Sequence, residues 1–220
     1  MKLILQLPGL NSLPAQLHEL LSLSGYKLVC AESLLEGADP DIVLLDREAW
    51  LDLSYRSSYD FLTETLNRAT FTMKARGEVQ KAHKNNDTVS CILLDIDYFK
   101  AVNDTYGHTI GDSTLKAVSQ LLKLHCRDSD LLGRYGGEEF VTLFPNTGIL
   151  DAEQIANRLR EVIEHTPILT SKGPVSVTVS IGIANLQLNE TLESLVDRAD
   201  QALCLAKSQG RNQVRVHGDC

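Results

Sequence analysis

Residues 131–146, LLGRYGGEEFVTLFPN, constrain the fold more than any other stretch. Two apolar runs flank a pair of glycines, which reads as two β-strands joined by a hairpin turn. A turn calls for glycine. It does not call for Glu138 and Glu139 side by side at the tip, where they repel each other. The hairpin needs strand partners, and TVSCILLDID (88–97), VSVTVSIGIA (175–184) and NQVRV (212–216) supply them. Helical spacing appears at 62–84, 111–127, 150–166 and 191–210, so helices and hairpin strands intermingle. That pattern predicts an α+β fold with a mostly antiparallel central sheet flanked by helices, not repeated βαβ units.

The first fifty residues follow another pattern. KLILQL, YKLVCA and DIVLLD read as strands, and LPAQLHELLSLSG as a helix stopped by Gly25. Strand–helix–strand–strand with apolar runs predicts a small, mostly parallel α/β unit. LDLSYRSS (51–58) reads as a linker, and 59–220 as the main domain. DIVLLD after ADP resembles the third strand of a response-regulator receiver domain, in which Asp46 would be the phosphoacceptor. Yet the first strand runs into QLPGL, where such a domain places acidic metal ligands, and the pattern stops about halfway. Residues 1–50 are therefore a receiver-like stub with a structural or dimerising role.

The formal net charge of -8 argues against sequence-independent binding to a nucleic-acid polymer, where many phosphates must be neutralised. A single anionic nucleotide needs only a few converging cations. Five scattered cysteines without a CxxC pair read as reduced thiols of a cytoplasmic protein. The N-terminal apolar run ends at Pro8 and is too short for a signal or a membrane span.

The chemistry starts in CILLDIDYFKAVNDTYGHTIGD. Residues Cys91 to Leu94 are apolar on both faces, so the strand is buried. It ends in Asp95, with Asp97 two further on and on the same face of a continuing strand. Carboxylates at a buried strand end need compensation, either a hard cation or a hydrogen-bonded turn. With Glu138 on a neighbouring hairpin, they have the oxygen chemistry of a Mg²⁺ site. DxD alone reads equally well as a strand-end cap. Lys207 and Arg211, four apart on the last helix, share a face and read as a phosphate clamp or as a solvated basic edge.

DIDYFKAVND, GHTIGD, RYGGEEF, VSIGIA and ADQALCLAKSQGRN, in that order, resemble the GGDEF family of diguanylate cyclases in its GGEEF form. The match runs from about Asp60 to Val214. The resemblance implies a palm-like sheet similar to nucleotide cyclases. It implies two subunits that each bind GTP and condense the pair into cyclic di-GMP, releasing two pyrophosphates. It implies Mg²⁺, with Mn²⁺ able to replace it, held by Asp95, Glu138 and the Ile96 carbonyl. It assigns phosphate binding to the backbone N–H groups of Tyr98 and Phe99 and to Lys100, Lys207 and Arg211. Asn103 and Asp112 would read the guanine edge, and Gly136 and Gly137 would let the nucleotide approach the backbone. Glu138 or Glu139 would assist deprotonation of the attacking 3′-hydroxyl. His108 is either local scaffold or a substrate contact. Arg127 and Asp130, in RDSD, match an RxxD site for inhibitory product.

The sequence also departs from the family. DFLTETLNRA has Glu64 and Thr65 where Gly and Leu are usual, and Ala69 where Arg is, so the entry turn is in question. Cys204 stands where the family often has Tyr. A catalytically silent cyclic di-GMP receptor acting through Arg127 and Asp130 is the alternative function. An ATP-accepting cyclase is a third, against which Asp112 argues.

Overall fold

The computed structural model describes residues 2–6, 26–30, 42–44, 55 and 57–218. The helix expected at 13–25, most of the 51–58 linker and Asp46 lie outside these residues. The chain divides into two compact units, Met1–Ser58 and Tyr59–Cys220. In the first, β1 (Lys2–Gln6) pairs in parallel with both β2 (Tyr26–Cys30) and β3 (Ile42–Leu44), giving the order β2-β1-β3.

The second unit runs α1 (Arg68–Asn85), β4 (Val89–Ile96), α2 (Phe99–Tyr106), α3 (His108–His125), β5 (Leu131–Arg134), β6 (Glu139–Pro145) and α4 (Ile149–His165). A small hairpin, β7 (Ile168–Thr170) and β8 (Gly173–Val175), follows, then β9 (Val179–Asn185), α5 (Leu192–Ser208) and β10 (Val214–Val216). The main sheet has the order β10-β9-β4-β6-β5. β4 is antiparallel to both β6 and β9, and only the β9–β10 pair is parallel. Helices cover both faces, so the palm-like α+β fold expected from the sequence is the fold observed.

The central strand organises everything around it. All eight residues of β4 are buried. Its side chains alternate between two apolar cores, as a period of two requires. Ile92, Leu94 and Ile96 pack with α2, α3 and α4, whereas Cys91 and Leu93 pack with α1 and α5. Helix α5 seats directly on β9 at Gly182. A Cβ there would lie 2.1 Å from the Ala199 carbonyl oxygen and 2.2 Å from the Leu203 nitrogen. Glycine in VSIGIA is thus what lets helix and sheet backbones touch.

Two local differences from the sequence reading have physical causes. The helix expected from residue 62 begins at Arg68, capped by Asn67, whose side chain accepts from the Thr70 N–H at 2.9 Å. Residues 59–66 instead form an entry turn whose ends, Tyr59 and Leu66, pair with each other. Leu66 then bridges to Gly133, annealing the turn to the free edge of β5. The stretch between β4 and the next expected helix holds a helix of its own, α2, split from α3 by Gly107 at φ 89. Among the described residues, no helix is long and apolar enough to cross a membrane.

Candidate active site

Asp95 is the last odd-numbered residue of β4, so it faces α1 and α5 rather than α2 and α4. α5 answers with Lys207, whose Nζ lies 2.8 Å from Asp95 Oδ2. On the other side of β4 the register sets Glu139 directly opposite Asp95. Glu138 precedes β6, and its carbonyl accepts from the Ile96 N–H at 3.4 Å. Burial pushes the Asp95 carboxyl above the usual carboxylate range. The Lys207 ammonium offsets this only in part, and the charges of Glu138 and then Glu139 add to it. Asp95 therefore feels one ammonium and two further carboxylates.

Asp97 plays a different part from the one its spacing implied. β4 ends at Ile96, and the Asp97 N–H donates to the Thr178 carbonyl. Its carboxylate accepts from Thr178 Oγ1 and Ser180 Oγ, each at 2.7 Å, and from the Asn212 N–H at 3.0 Å. These bonds fix the strand end to β9 and to the segment after α5. Of the two aspartates, then, Asp97 takes the hydrogen-bonded solution and Asp95 takes a cation.

At the tip of the signature hairpin, neither Gly136 nor Gly137 has a positive φ. Space, not backbone conformation, is what Gly136 provides: a Cβ there would lie 2.2 Å from Glu139 Oε2. Gly137 has nothing within 4 Å of its Cβ position and is exposed, leaving its backbone open to approach. The turn is closed by the Glu139 carbonyl, which accepts from the Tyr135 and Gly136 N–H groups at 2.8 and 3.3 Å.

Arg211 also sits differently from its expected place. α5 ends at Ser208, so Arg211 does not share the helix face of Lys207. Gly210 (φ 115), Arg211 (φ 64) and Asn212 (φ 45) form a left-handed turn that ends the helix. The turn directs the Arg211 guanidinium over the Tyr98 ring, 4.6 Å from its centroid, with Nη1 3.4 Å from the Tyr98 hydroxyl. Tyr98 is itself left-handed (φ 56), caps α2 without a side-chain hydrogen bond, and is 64% exposed. Lys100, in the first turn of α2, is exposed.

Asn103 and Asp112 come from the two helices that meet at Gly111. The Asn103 Oδ1 lies so close to Gly111 that a Cβ there would be 1.9 Å away. Asp112 is exposed on α3, next in sequence, and His108 is the exposed first residue of that helix. Arg127 and Asp130 lie elsewhere, at the start of β5, about 13 Å of strand from the hairpin tip. There the Arg127 N–H donates to Asp130 Oδ2 at 2.8 Å, so Asp130 closes its own turn. Both line a cavity of about 300 Å³ with Lys74 and Lys123.

Two arginines that support the hairpin carried no assigned role in the sequence. Arg134 donates from Nη1 to both Asp60 oxygens at 3.0 and 3.2 Å. It also donates to the Gly137 carbonyl from Nε and Nη2 at 3.2 and 2.7 Å. One guanidinium thus ties the entry turn to the tip that carries Glu138. Arg68 stacks on Tyr135 at 4.3 Å, a second tie between the same segments. Both arginines lie within matched motifs, but pairing across 74 residues has no local signal.

Among the described residues, no three His, Cys, Asp or Glu side chains converge to form a ready metal cage. The donor set nonetheless fits a magnesium ion, which takes one or two protein carboxylates and leaves other positions to phosphate and water. Asp95, Glu138 and the Ile96 carbonyl are hard oxygen donors. The ammonium on Asp95 shows that this carboxylate attracts a cation.

A protein-family model described as diguanylate cyclase, GGDEF domain, matches residues 57–213. The chain is similar to the response regulator PleD of Caulobacter vibrioides, 42% identical over 158 residues, covering 70% of this chain and 35% of that protein. It is similar to the diguanylate cyclase DgcP of Pseudomonas aeruginosa, 38% identical over 165 residues, covering 75% of this chain and 25% of that one. The chain thus spans a quarter to about a third of the length of these relatives. Among solved structures, the GGDEF domain of DgcB from Caulobacter crescentus, in complex with c-di-GMP, superposes with a TM-score of 0.72. That likeness is at 30% identity and covers 74% of this chain and 97% of the domain.

Proposed function

Because the chain belongs to the GGDEF family of diguanylate cyclases, we propose that it condenses two GTP molecules into cyclic di-GMP with release of two pyrophosphates. The observation that carries this reading is the Asp95 carboxylate: buried, near the charges of Glu138 and Glu139, and held by one partly exposed ammonium. Asp97, by contrast, is satisfied by two hydroxyls and a backbone N–H and needs no cation.

Asp95, Glu138 and the Ile96 carbonyl hold the divalent cation, Mg²⁺ or Mn²⁺. When bound, that ion neutralises phosphate charge and makes the 3′-hydroxyl more acidic. The remaining work belongs to the chain. N–H groups at the start of α2, around Tyr98 and Phe99, face the phosphates, and Lys100, Lys207 and Arg211 neutralise them. Asn103 and Asp112 read the base: an aspartate acceptor takes the N1–H and N2–H donors that guanine has and adenine lacks. His108, at the entrance to α3, lies on the same rim. Glu139, opposite Asp95, accepts the proton of the attacking 3′-hydroxyl as it approaches the α-phosphate in line. Positioning dominates the rate, which is why the Arg134 tie to the hairpin tip matters.

Each subunit presents one nucleotide, so the reaction needs two copies of the chain. The RDSD turn, beside a cavity lined by Lys74, Lys123 and Arg127 as well as Glu64, Asp128 and Asp130, is a site for product, with Arg127 forking onto phosphate or guanine. The test is incubation of the full chain with GTP and Mg²⁺, with nucleotides separated by chromatography. Cyclic di-GMP is the expected product. A folded, dimeric protein that yields none overturns the proposal.

A further inference from the structure

The geometry points to Lys207 as an exchangeable counter-ion, which holds the Asp95 oxygen that a divalent cation needs and leaves it for the triphosphate when nucleotide arrives. The inference rests on the metal-site reading above and adds an order of events to it.

The elements that make the contact are fixed. α5 is seated on β9 through Gly182, and Lys207 lies in its last turn, over the end of β4. The Nζ–Oδ2 distance of 2.8 Å is that of a charge-assisted hydrogen bond. A magnesium ion binds a carboxylate oxygen at about 2.1 Å. An ammonium and a divalent cation on the same oxygen would repel each other within contact distance, so the two compete.

The side chain is suited to leaving. Lys207 is 31% exposed whereas Asp95 is 11% exposed, so the ammonium has a path to solvent that the carboxylate lacks. An ammonium is a single point charge on a flexible four-carbon stem. An arginine fork would hold both oxygens and release them together or not at all. Arg211, the neighbouring cation, is parked in the same way on the ring and hydroxyl of Tyr98. Two cations assigned to phosphate thus contact protein groups, Asp95 and Tyr98.

The consequence is thermodynamic coupling. Phosphate that takes the ammonium frees Asp95 for metal, so metal and nucleotide must each strengthen binding of the other. Metal alone must bind weakly, because it has to displace the lysine first.

The experiment is a Mn²⁺ titration of the nucleotide-free full chain, with free Mn²⁺ counted by electron paramagnetic resonance. Lys207→Met, and Lys207→Gln as a second variant, are expected to bind Mn²⁺ about tenfold more tightly than the parent, or better. Lys207→Arg, which retains a competing cation, is expected to gain nothing. Equal or weaker Mn²⁺ binding by both Met and Gln variants overturns the exchange. Asp95→Asn, in the parent and the Lys207→Met backgrounds, separates the two ideas. If it abolishes Mn²⁺ binding while Lys207→Met brings no gain, the metal site stands and the exchange fails. If Mn²⁺ binding is indifferent to Asp95, the metal-site reading itself falls, and the exchange with it.

Discussion

Two aspartates, Asp60 and Asp95, each meet one basic side chain, and the surroundings of each give opposite results. Asp60 receives Thr63 N–H and Oγ1 at 2.9 and 2.7 Å and the Arg134 guanidinium. Burial works against its charge, but hydrogen bonds from Thr63 and Arg134 outweigh it and hold the carboxyl below the usual range. Asp95 is buried with a single ammonium and two glutamates nearby, and its carboxyl is held above that range. The first pair is complete and serves to fix the entry turn to the hairpin. The second is buried with only one cation against three carboxylates, which supports the proposal that it binds a divalent cation.

Substitutions should separate the two along different axes. Asp95→Asn is expected to lower cyclic di-GMP formation by about a thousandfold or more while the fold persists, read by initial rates and circular dichroism. If activity falls less than tenfold, the contrast breaks. Asp60→Asn should do the reverse. Loss of charge-assisted bonds between groups only 17% and 16% exposed should cost about 2 kcal/mol in a urea titration. Activity then falls chiefly through the loosened Gly137 tether.

Acid sharpens the same contrast. Because the folded-state pKa of Asp60 is depressed, its stabilising contribution is present above the unfolded-state value, about 3.9. It is lost as pH falls through the lower folded-state value. Unfolding free energy followed from pH 5 to pH 2 should therefore fall less steeply in Asp60→Asn than in the parent. Identical slopes would remove Asp60 from the acid limb.

The smallest effect concerns the turn beside Asp60. Glu64 holds φ 53, a left-handed conformation that costs a non-glycine residue about 1 kcal/mol. Its 3.7 Å contact with Lys123 is exposed and contributes little. Glu64→Gly is expected to raise stability by about 0.5 kcal/mol, measured as an upward shift of the urea midpoint. A downward shift would mean that the glutamate is preferred there.

The same comparison marks what could be read from the sequence. The apolar run of β4, the helical spacing and the family motifs gave Asp95, the hairpin and the helices that flank them, because apolar patterning and turn chemistry are local. The departure at Glu64 was visible as a residue out of pattern. The structure adds that the chain keeps the left-handed turn without glycine. For Asp97 the sequence left cation ligand and strand-end cap both open, since nothing local tells where a strand ends to within one residue; the structure gives it the cap. Arg211 was misplaced because helical spacing was carried past Gly210, although SQGRN holds a helix-stop signal. The Asp60–Arg134–Gly137 tie depends on a sheet edge that only the assembled fold brings to the entry turn.

The most direct measurement is the thermal unfolding of the parent, Asp60→Asn and Asp95→Asn, each with and without Mg²⁺ and a non-hydrolysable GTP analogue. Ligand bound only by the folded state raises the unfolding temperature. The account predicts a clear rise for the parent and for Asp60→Asn, and little or none for Asp95→Asn. An equal rise in Asp95→Asn, or no rise in the parent, would contradict the claim that this carboxylate is reserved for a cation that arrives with nucleotide.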